Sequence, residues 1–182
     1  AYEIGVRLVG SEMCIRDRGG ELAGRITLRD EEPRLRVARL GIYLRPDLVG
    51  RGIGSAALWQ FLDLAFGELG LVQIRLDVVA ANTRAVRCYT RLGFVRQHVQ
   101  WCDIPHDPAL ALLSAPSHEH LRPFFRLRCD PPQALYFELY HLAAWWQMIR
   151  RSDAPAHTPA RRPGAGAAGR VVLQPDAAFL EA

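Results

Sequence analysis

The chain has 182 residues, of which 49% are hydrophobic, so it is long enough for one domain that buries a core without disulfide support. Its sequence has neither the run of about 20 apolar residues that a membrane span needs nor a secretory signal pattern at its start, and we expect a cytoplasmic protein. The net charge of +4 comes from scattered arginines without interleaved aromatic residues, which argues against nucleic-acid binding.

A segment near the start resembles something other than protein-coding sequence. Residues 8–18 match, residue for residue, the in-frame translation of a transposon-end adapter used to prepare sequencing libraries, and Arg7 is compatible with the overlapping codon. We interpret residues 7–18 as foreign and residues 1–18 as an artefactual or non-native leader, and we expect the native amino-terminal part to be truncated. The alternative is a natural strand and turn.

Hydrophobic periodicity then predicts regular elements along the chain. In order, they are strands at 21–28 and 37–44, a helix at 55–69, a strand at 72–79, a helix at 83–91, and strands at 95–101 and 135–142. Charged residues at 29–33 predict a hairpin turn between the first two strands. The strand, helix and strand between 37 and 79 form a crossover unit, which makes the sheet locally parallel.

The composition also predicts where the domain ends. We expect one domain over residues 19–150, with a loop insertion at 102–132 that is rich in proline, histidine and arginine. Trp145 and Trp146 are expected to pack at the end of the last strand. Alanine, proline, glycine and arginine dominate residues 151–182, which predicts a disordered tail.

Cysteine and histidine residues in and near the insertion do not predict a metal site. The four cysteines are irregularly spaced, which favours reduced thiols over a disulfide framework. The candidates for metal binding lack the paired spacing of zinc ligands, so we predict no metal. They are Cys102, His106, His118, His120 and Cys129.

Three glycines at alternate positions lie between the second strand and the first helix. Gly50, Gly52 and Gly54 let the backbone approach a ligand closely, and the helix that follows presents unpaired N–H groups and the positive end of its dipole. Such a turn suits a phosphate group. The pattern alone leaves a dinucleotide site open, but the following strand carries its acidic residue, Asp77, in its interior rather than at its end.

A second segment makes the interpretation specific. It begins at Leu76 and ends at Phe94, with Asn82, Ala85, Tyr89 and the pair Gly93-Phe94 at fixed spacing. Together with the glycine-rich turn, it resembles motifs A and B of the GNAT N-acetyltransferase superfamily, and it is similar to the branch that acetylates ribosomal-protein amino termini and polyamines. The resemblance covers roughly residues 21–94 well and 134–146 loosely.

That resemblance implies a fold and a cofactor. The fold is α/β, a mixed and mostly antiparallel sheet with a central parallel strand pair splayed at the CoA site and helices on both faces. Acetyl-CoA is the implied co-substrate, with its pyrophosphate on the turn amides, its pantetheine arm along the preceding strand through a bulge, and no metal. The implied cofactor-binding residues are Tyr43, Leu44, Val49, Gly50, Arg51, Gly52, Ile53, Gly54, Ser55 and Asn82.

The implied reaction is direct attack of a primary amine on the thioester, where the amine belongs to a protein amino terminus, a polyamine or a small molecule. Tyr89 is implied as the general acid that protonates the CoA thiolate, and a main-chain N–H near Leu44 as the oxyanion donor. Glu21, Glu138 or a water chain is the candidate base, and the sequence does not choose among them. We expect a monomer or a homodimer.

Two departures from the family pattern leave an alternative open. Val49 stands where the family usually has arginine or glutamine, and the amino-terminal strand and helices that shape the acceptor site are missing or replaced. The alternative is therefore a non-catalytic CoA-binding or regulatory module.

Overall fold

The computed structural model describes residues 11–16, 20–152 and 172–175 of the chain. They belong to two compact units, the first formed by residues up to Leu76 and from His141 onward, the second by Asp77–Tyr140. The strands are β1 Ser11–Arg16, β2 Leu22–Glu32, β3 Val37–Leu44, β4 Gln73–Val79, β5 Val95–Asp103, β6 Phe125–Arg126, β7 Gln133–Leu142 and β8 Val172–Pro175, and the helices are α1 Ile53–Asp63, α2 Thr83–Arg91 and α3 Ala143–Ser152.

An antiparallel hairpin of β2 and β3 forms the centre of the first unit. Ile26 faces Ile42 and Leu28 faces Leu40 across the pair, and Ile26, Leu28 and Leu40 are buried. The hairpin turn differs from the predicted one, because β2 continues through the charged run to Glu32 and a short 3-10 turn follows at Pro33–Leu35. Charged side chains do not end an antiparallel strand when one of its faces is open to water.

The predicted crossover is confirmed. β3 and β4 pair in parallel, with Val37, Ala38 and Arg39 opposite Gln73, Ile74 and Arg75. Helix α1 connects them and buries the face that carries Ala57, Leu58, Phe61 and Leu62.

The predicted helix at 55–69 has different bounds. The α-helix begins at Ile53 because Gly52 adopts a left-handed conformation as its N-cap, and it ends at Asp63. From Leu64 to Glu68 the backbone widens into a π-helical turn, in which Leu69 N donates to Leu64 O at 2.9 Å. Such turns are single-turn irregularities of α-helices that hydrophobic spacing does not reveal.

Two strands lie in regions that the sequence analysis sets outside the domain. β1 falls within the segment that resembles adapter translation, pairs antiparallel with β2, and buries Met13 and Ile15. β8 lies in the predicted disordered tail and pairs antiparallel with β1. α3 extends the ordered chain to Ser152, and the rest of the predicted tail lies outside the described residues.

The second unit contains α2 and an antiparallel pair of β5 and β7, with β6 on the other edge of β7. Ala80 N, just after β4, donates to Leu135 O of β7 at 2.8 Å. The predicted loop at 102–132 is more regular than expected, with 3-10 segments at Pro108–Ser114 and Pro116–Phe124. Pro108 and Pro116 begin these segments, where a missing N–H costs no hydrogen bond.

The predicted position of Trp145 and Trp146 at the end of a strand was wrong, because both residues lie in α3. Trp146 is buried, and its ring packs edge-on against Trp59 of α1 with 4.5 Å between centroids. Among the described residues, no helix is both long and apolar enough to cross a membrane.

Candidate active site

The turn between β3 and α1 is formed by residues 45–52 in the first unit. A 3-10 segment at Pro46–Leu48 begins it, with Leu48 N donating to Arg45 O at 3.0 Å and Val49 N to Pro46 O at 3.3 Å. The first α-helical bond that follows runs from Ala56 N to Gly52 O at 3.0 Å. The N–H groups of Ile53 and Gly54 therefore belong to the first helical turn, whose N–H groups have no acceptor four residues earlier in the helix.

The three glycines of the turn serve two different purposes. Gly50 has φ +85° and Gly52 has φ +81°, a left-handed conformation that L side chains rarely adopt. Gly54 lies inside the helix, and a Cβ there would approach Leu44 Cδ1 to 2.9 Å. The first two glycines thus shape the backbone, and the third allows α1 to approach the end of β3.

This geometry suits an anion such as a phosphate group. A helix N-terminus carries a partial positive charge and offers main-chain donors to an anion. A Cβ at Gly50 would meet no other atom within 4 Å, so the outside of the turn is open, and Arg51 is exposed beside it. The predicted cofactor-binding residues of this region lie in one continuous stretch, from the C-cap of the 3-10 segment into the first turn of α1: Val49, Gly50, Arg51, Gly52, Ile53, Gly54 and Ser55.

Arg45 and Asp47 belong to the same turn and were missed as site residues. Arg45 Nε and Nη2 donate to the two Asp47 carboxylate oxygens at 3.1 and 2.8 Å, and Nη1 donates to Leu22 O at 3.3 Å. The Arg45 guanidinium holds the pKa of the Asp47 carboxyl below its usual value through these hydrogen bonds. The sequence signal that could have identified this pair is two opposite charges that lie two residues apart, with a proline between them.

Tyr43 and Leu44 lie at the end of β3, as predicted. The parallel pairing of β3 with β4 covers Val37–Arg39 and, within the described chain, does not reach Leu44, which agrees with a splayed pair. The expected bulge is not found there: the β2–β3 register is continuous from Gly24 opposite Leu44 to Asp30 opposite Ala38, and its irregularity lies between Asp30 and Glu32. Arg45 N extends the β2–β3 ladder by donating to Ala23 O at 2.9 Å.

Asn82 and Tyr89 lie in the second unit, on α2. Asn82 is the N-cap, and its side chain accepts a hydrogen bond from Ala85 N at 3.2 Å. Tyr89 is buried and packs edge-on against Phe94 with 5.8 Å between ring centroids. Burial raises the pKa of Tyr89 to about 12, because an apolar environment disfavours phenolate. The Tyr89 hydroxyl therefore keeps its proton throughout the physiological pH range.

The two candidate bases are placed differently. Glu21 precedes β2 in the first unit, and its Oε2 lies 3.5 Å from Arg45 Nη1 in an exposed ion pair. Glu138 lies on β7 in the second unit, opposite His98 of β5, and is half-buried. Glu21 thus has a structural partner in the turn, whereas Glu138 lies in a strand interior.

The cysteines and histidines of the insertion do not converge. Within the described ranges, no group of three or more His, Cys, Asp and Glu side chains could hold a metal ion. Burial and the nearby carboxylate of Asp77 raise the pKa of Cys102, which lowers its reactivity as a nucleophile.

Comparison with known proteins agrees with these motifs. Residues 6–94 match the family model described as the acetyltransferase (GNAT) family. A kanamycin resistance protein of Rhizobium radiobacter is 35% identical over 65 residues, which are 36% of this chain and 58% of that protein. A mycothiol acetyltransferase of Clavibacter sepedonicus is 39% identical over 84 residues, which are 46% of this chain and 27% of that protein. The chain therefore spans less than two thirds of the length of these relatives.

Solved structures show the same fold. Mutant forms of a spermidine/spermine N-acetyltransferase from Vibrio cholerae superimpose with a TM-score of 0.60 at 20% identity, covering 78% of this chain and 70% of theirs. The turn geometry, the Asn82-capped helix and this fold agree with the family match. Residues 6–94 of the 182-residue chain are therefore similar to the acetyltransferase (GNAT) family.

Proposed function

We propose that this protein is an N-acetyltransferase that transfers the acetyl group of acetyl-CoA to a primary amine. The observation that carries the proposal is the turn at residues 45–55, in which left-handed Gly50 and Gly52 lead into the amino-terminal amides of α1. An anion of the size of a diphosphate fits main-chain donors in this arrangement. The names of the relatives, which include acetyltransferases of aminoglycosides and polyamines, support an amine acceptor.

In the proposed reaction, the amine nitrogen forms a bond to the thioester carbonyl carbon while the carbon–sulfur bond breaks. The amine loses one proton to Glu21, Glu138 or water, and the Tyr89 hydroxyl donates a hydrogen bond and then a proton to the departing sulfur. Burial raises the pKa of Tyr89 to about 12, so its hydroxyl carries a proton before the transfer. A main-chain N–H near Leu44 stabilises the charge on the carbonyl oxygen.

We further propose that Asn82 serves as the helix cap and as a contact for the pantetheine arm. Its Oδ1 accepts from Ala85 N, which leaves its amide N–H groups for a ligand. The cytoplasm is the proposed compartment, since the four cysteines are free in the structure and disulfides are rare in cytosolic proteins.

The test is the release of free CoA when the full chain is incubated with acetyl-CoA and a panel of amines, including a polyamine, an aminoglycoside and a short peptide. We expect thiol release that depends on the amine. Calorimetry with CoA is the companion measurement, and an absence of CoA binding contradicts the proposal. Binding without release with any amine supports the non-catalytic alternative.

A further inference from the structure

A cluster of three charged side chains lies where β3 enters the glycine-rich turn. Arg45 faces Asp47 through two hydrogen bonds of 3.1 and 2.8 Å, and its Nη1 lies 3.5 Å from Glu21 Oε2. One positive charge therefore meets two negative charges. Two of its members, Arg45 and Asp47, belong to the turn whose proposed ligand is an anion.

The Arg45 guanidinium is fully engaged within the protein. Nε and Nη2 bind Asp47, and Nη1 donates to Leu22 O as well as lying near Glu21. Arg45 is thus not arranged as a clamp for phosphate. Its pairs are also exposed, with 40% of the Arg45 side chain accessible against 56% of Asp47, and exposed ion pairs contribute little to folding stability.

Asp47 is the member of the cluster whose charge matters to the turn. It lies in the 3-10 segment Pro46–Leu48, three residues before Gly50. The charge of Arg51, in the same turn, also lowers the pKa of Asp47, although less than Arg45 does. A carboxylate without a partner at this position would repel a diphosphate.

We propose that Arg45 is a positioning residue that offsets the negative charge of Asp47 and Glu21 and so makes the glycine-rich part of the turn able to accept the diphosphate of CoA. Its hydrogen bond to Leu22 O also joins the turn to the start of β2. The inference rests on the proposed function. It goes beyond that function because it assigns a role to Arg45, whose side chain affects the ligand only through other charged groups.

The experiment compares Arg45→Gln, Asp47→Asn and the double variant in the full chain at low ionic strength. Arg45→Gln is expected to raise KM and Kd for acetyl-CoA by roughly three- to tenfold with kcat nearly unchanged. The defect shrinks in about 0.5 M salt because screening weakens the repulsion. Adding Asp47→Asn to Arg45→Gln restores most of the affinity.

The double variant separates charge neutralisation from a purely structural role. If Arg45 only anchors the turn, removing Asp47 as well brings no recovery and salt has no effect, and either result overturns the inference. Arg45→Lys is the second variant, since it keeps the charge and loses the two-point hydrogen bond. We expect its KM within about twofold of the unmodified chain at low salt, and a tenfold rise overturns the inference even if Arg45→Gln does not fold.

Arg150→Gln is the matched control, because Arg150 Nε pairs with Asp63 Oδ1 at 3.1 Å on another element of the same unit. It removes the same charge and is expected to leave KM for acetyl-CoA unchanged. If the unmodified chain does not bind CoA, the proposed function fails. If the unmodified chain binds CoA and Arg45→Gln binds it equally well, only the present inference fails.

Discussion

The side chain of Leu44 occupies the space that Gly54 leaves by having no Cβ. A Cβ at Gly54 would lie 2.9 Å from Leu44 Cδ1, and one at Gly24 would lie 2.9 Å from Leu44 Cδ2. The last residue of β3 is therefore held between β2 and α1 by two glycines. Its main chain is where the oxyanion donor is proposed, so we expect this packing to position that donor.

Alanine at these two glycines is expected to destabilise the fold to different extents. The Cβ of Gly54→Ala meets only the end of the Leu44 side chain, so this variant should lower the free energy of unfolding by about 1 kcal/mol. The Cβ of Gly24→Ala meets the carbonyl oxygen of Tyr43, so this variant should lower it by about 2–3 kcal/mol. Gly67→Ala is the control, because a Cβ there would meet nothing within 4 Å, and it should be neutral or stabilise by about 0.5 kcal/mol. Urea unfolding measures all three, and equal effects at 24 and 67 would contradict the packing argument.

Gly50 is expected to tolerate asparagine better than valine. Its φ of +85° and open surroundings mean that only backbone conformation restricts the residue. Asparagine enters the left-handed region readily, while a β-branched residue is strained there by about 1–2 kcal/mol. Calorimetry should show CoA binding by Gly50→Asn and much weaker binding by Gly50→Val. Similar affinity in both variants would show that left-handed geometry is not required.

Tyr89→Phe is expected to lower kcat by about 10²- to 10⁴-fold and to leave CoA affinity within about twofold. Only the hydroxyl is lost, and the contact of the ring with Phe94 remains. Tyr136→Phe is the control, since Tyr136 is another phenol of the same unit whose pKa burial raises, and no step uses it. Steady-state thiol release measures both, and a fully active Tyr89→Phe would remove the proposed acid.

Folding stability is expected to fall as the pH rises from about 10 to 12. The pKa of Tyr89 is near 10 when unfolded and about 12 when folded, so the folded state holds a proton that the unfolded state has lost. This contribution is complete below pH 10 and disappears above pH 12, on the order of 2 kcal/mol. Urea unfolding at several pH values should show a shallower decline in Tyr89→Phe. An identical decline in both proteins would contradict the assignment.

Asp63 is expected to stabilise the junction of α1 and α3 in the first unit. Its Oδ1 accepts from Trp146 Nε1 at 3.0 Å and from Arg150 Nε at 3.1 Å. Asp63→Ala should lower the free energy of unfolding by about 2 kcal/mol, because the indole N–H of buried Trp146 loses its acceptor. Arg150→Gln should cost less than about 1 kcal/mol, since that ion pair is exposed. Urea unfolding of both variants is the measurement, and the reverse order would contradict this account.

Much of the central architecture could be predicted because its signals are local. The strand at Val37–Leu44 and the helix at Thr83–Arg91 have the predicted bounds. Alternating apolar positions in the sequence predict the first, and Asn82 at the start of the second accepts a hydrogen bond from a helix-end amide. Gly50 and Gly52 were also identifiable, because few other residues accept a left-handed backbone.

Long-range contacts account for what could not be predicted. Trp145 and Trp146 follow a strand directly, and nothing local shows that the chain turns there into α3 to reach Asp63, 83 residues earlier. Likewise, β8 becomes a strand only because β1 offers it a free edge. Short apolar segments are ambiguous until a partner strand or helix is present.

The sequence by itself determined the family motifs, the crossover of β3, α1 and β4, and the location of the glycine-rich turn, because spacing and backbone conformation are properties of neighbouring residues. Only the tertiary structure decided that Gly54 is needed for Leu44 and that Arg45 pairs with both Asp47 and Glu21. Those relationships join β2, β3 and α1. They depend on distances in space, which the order of residues does not contain.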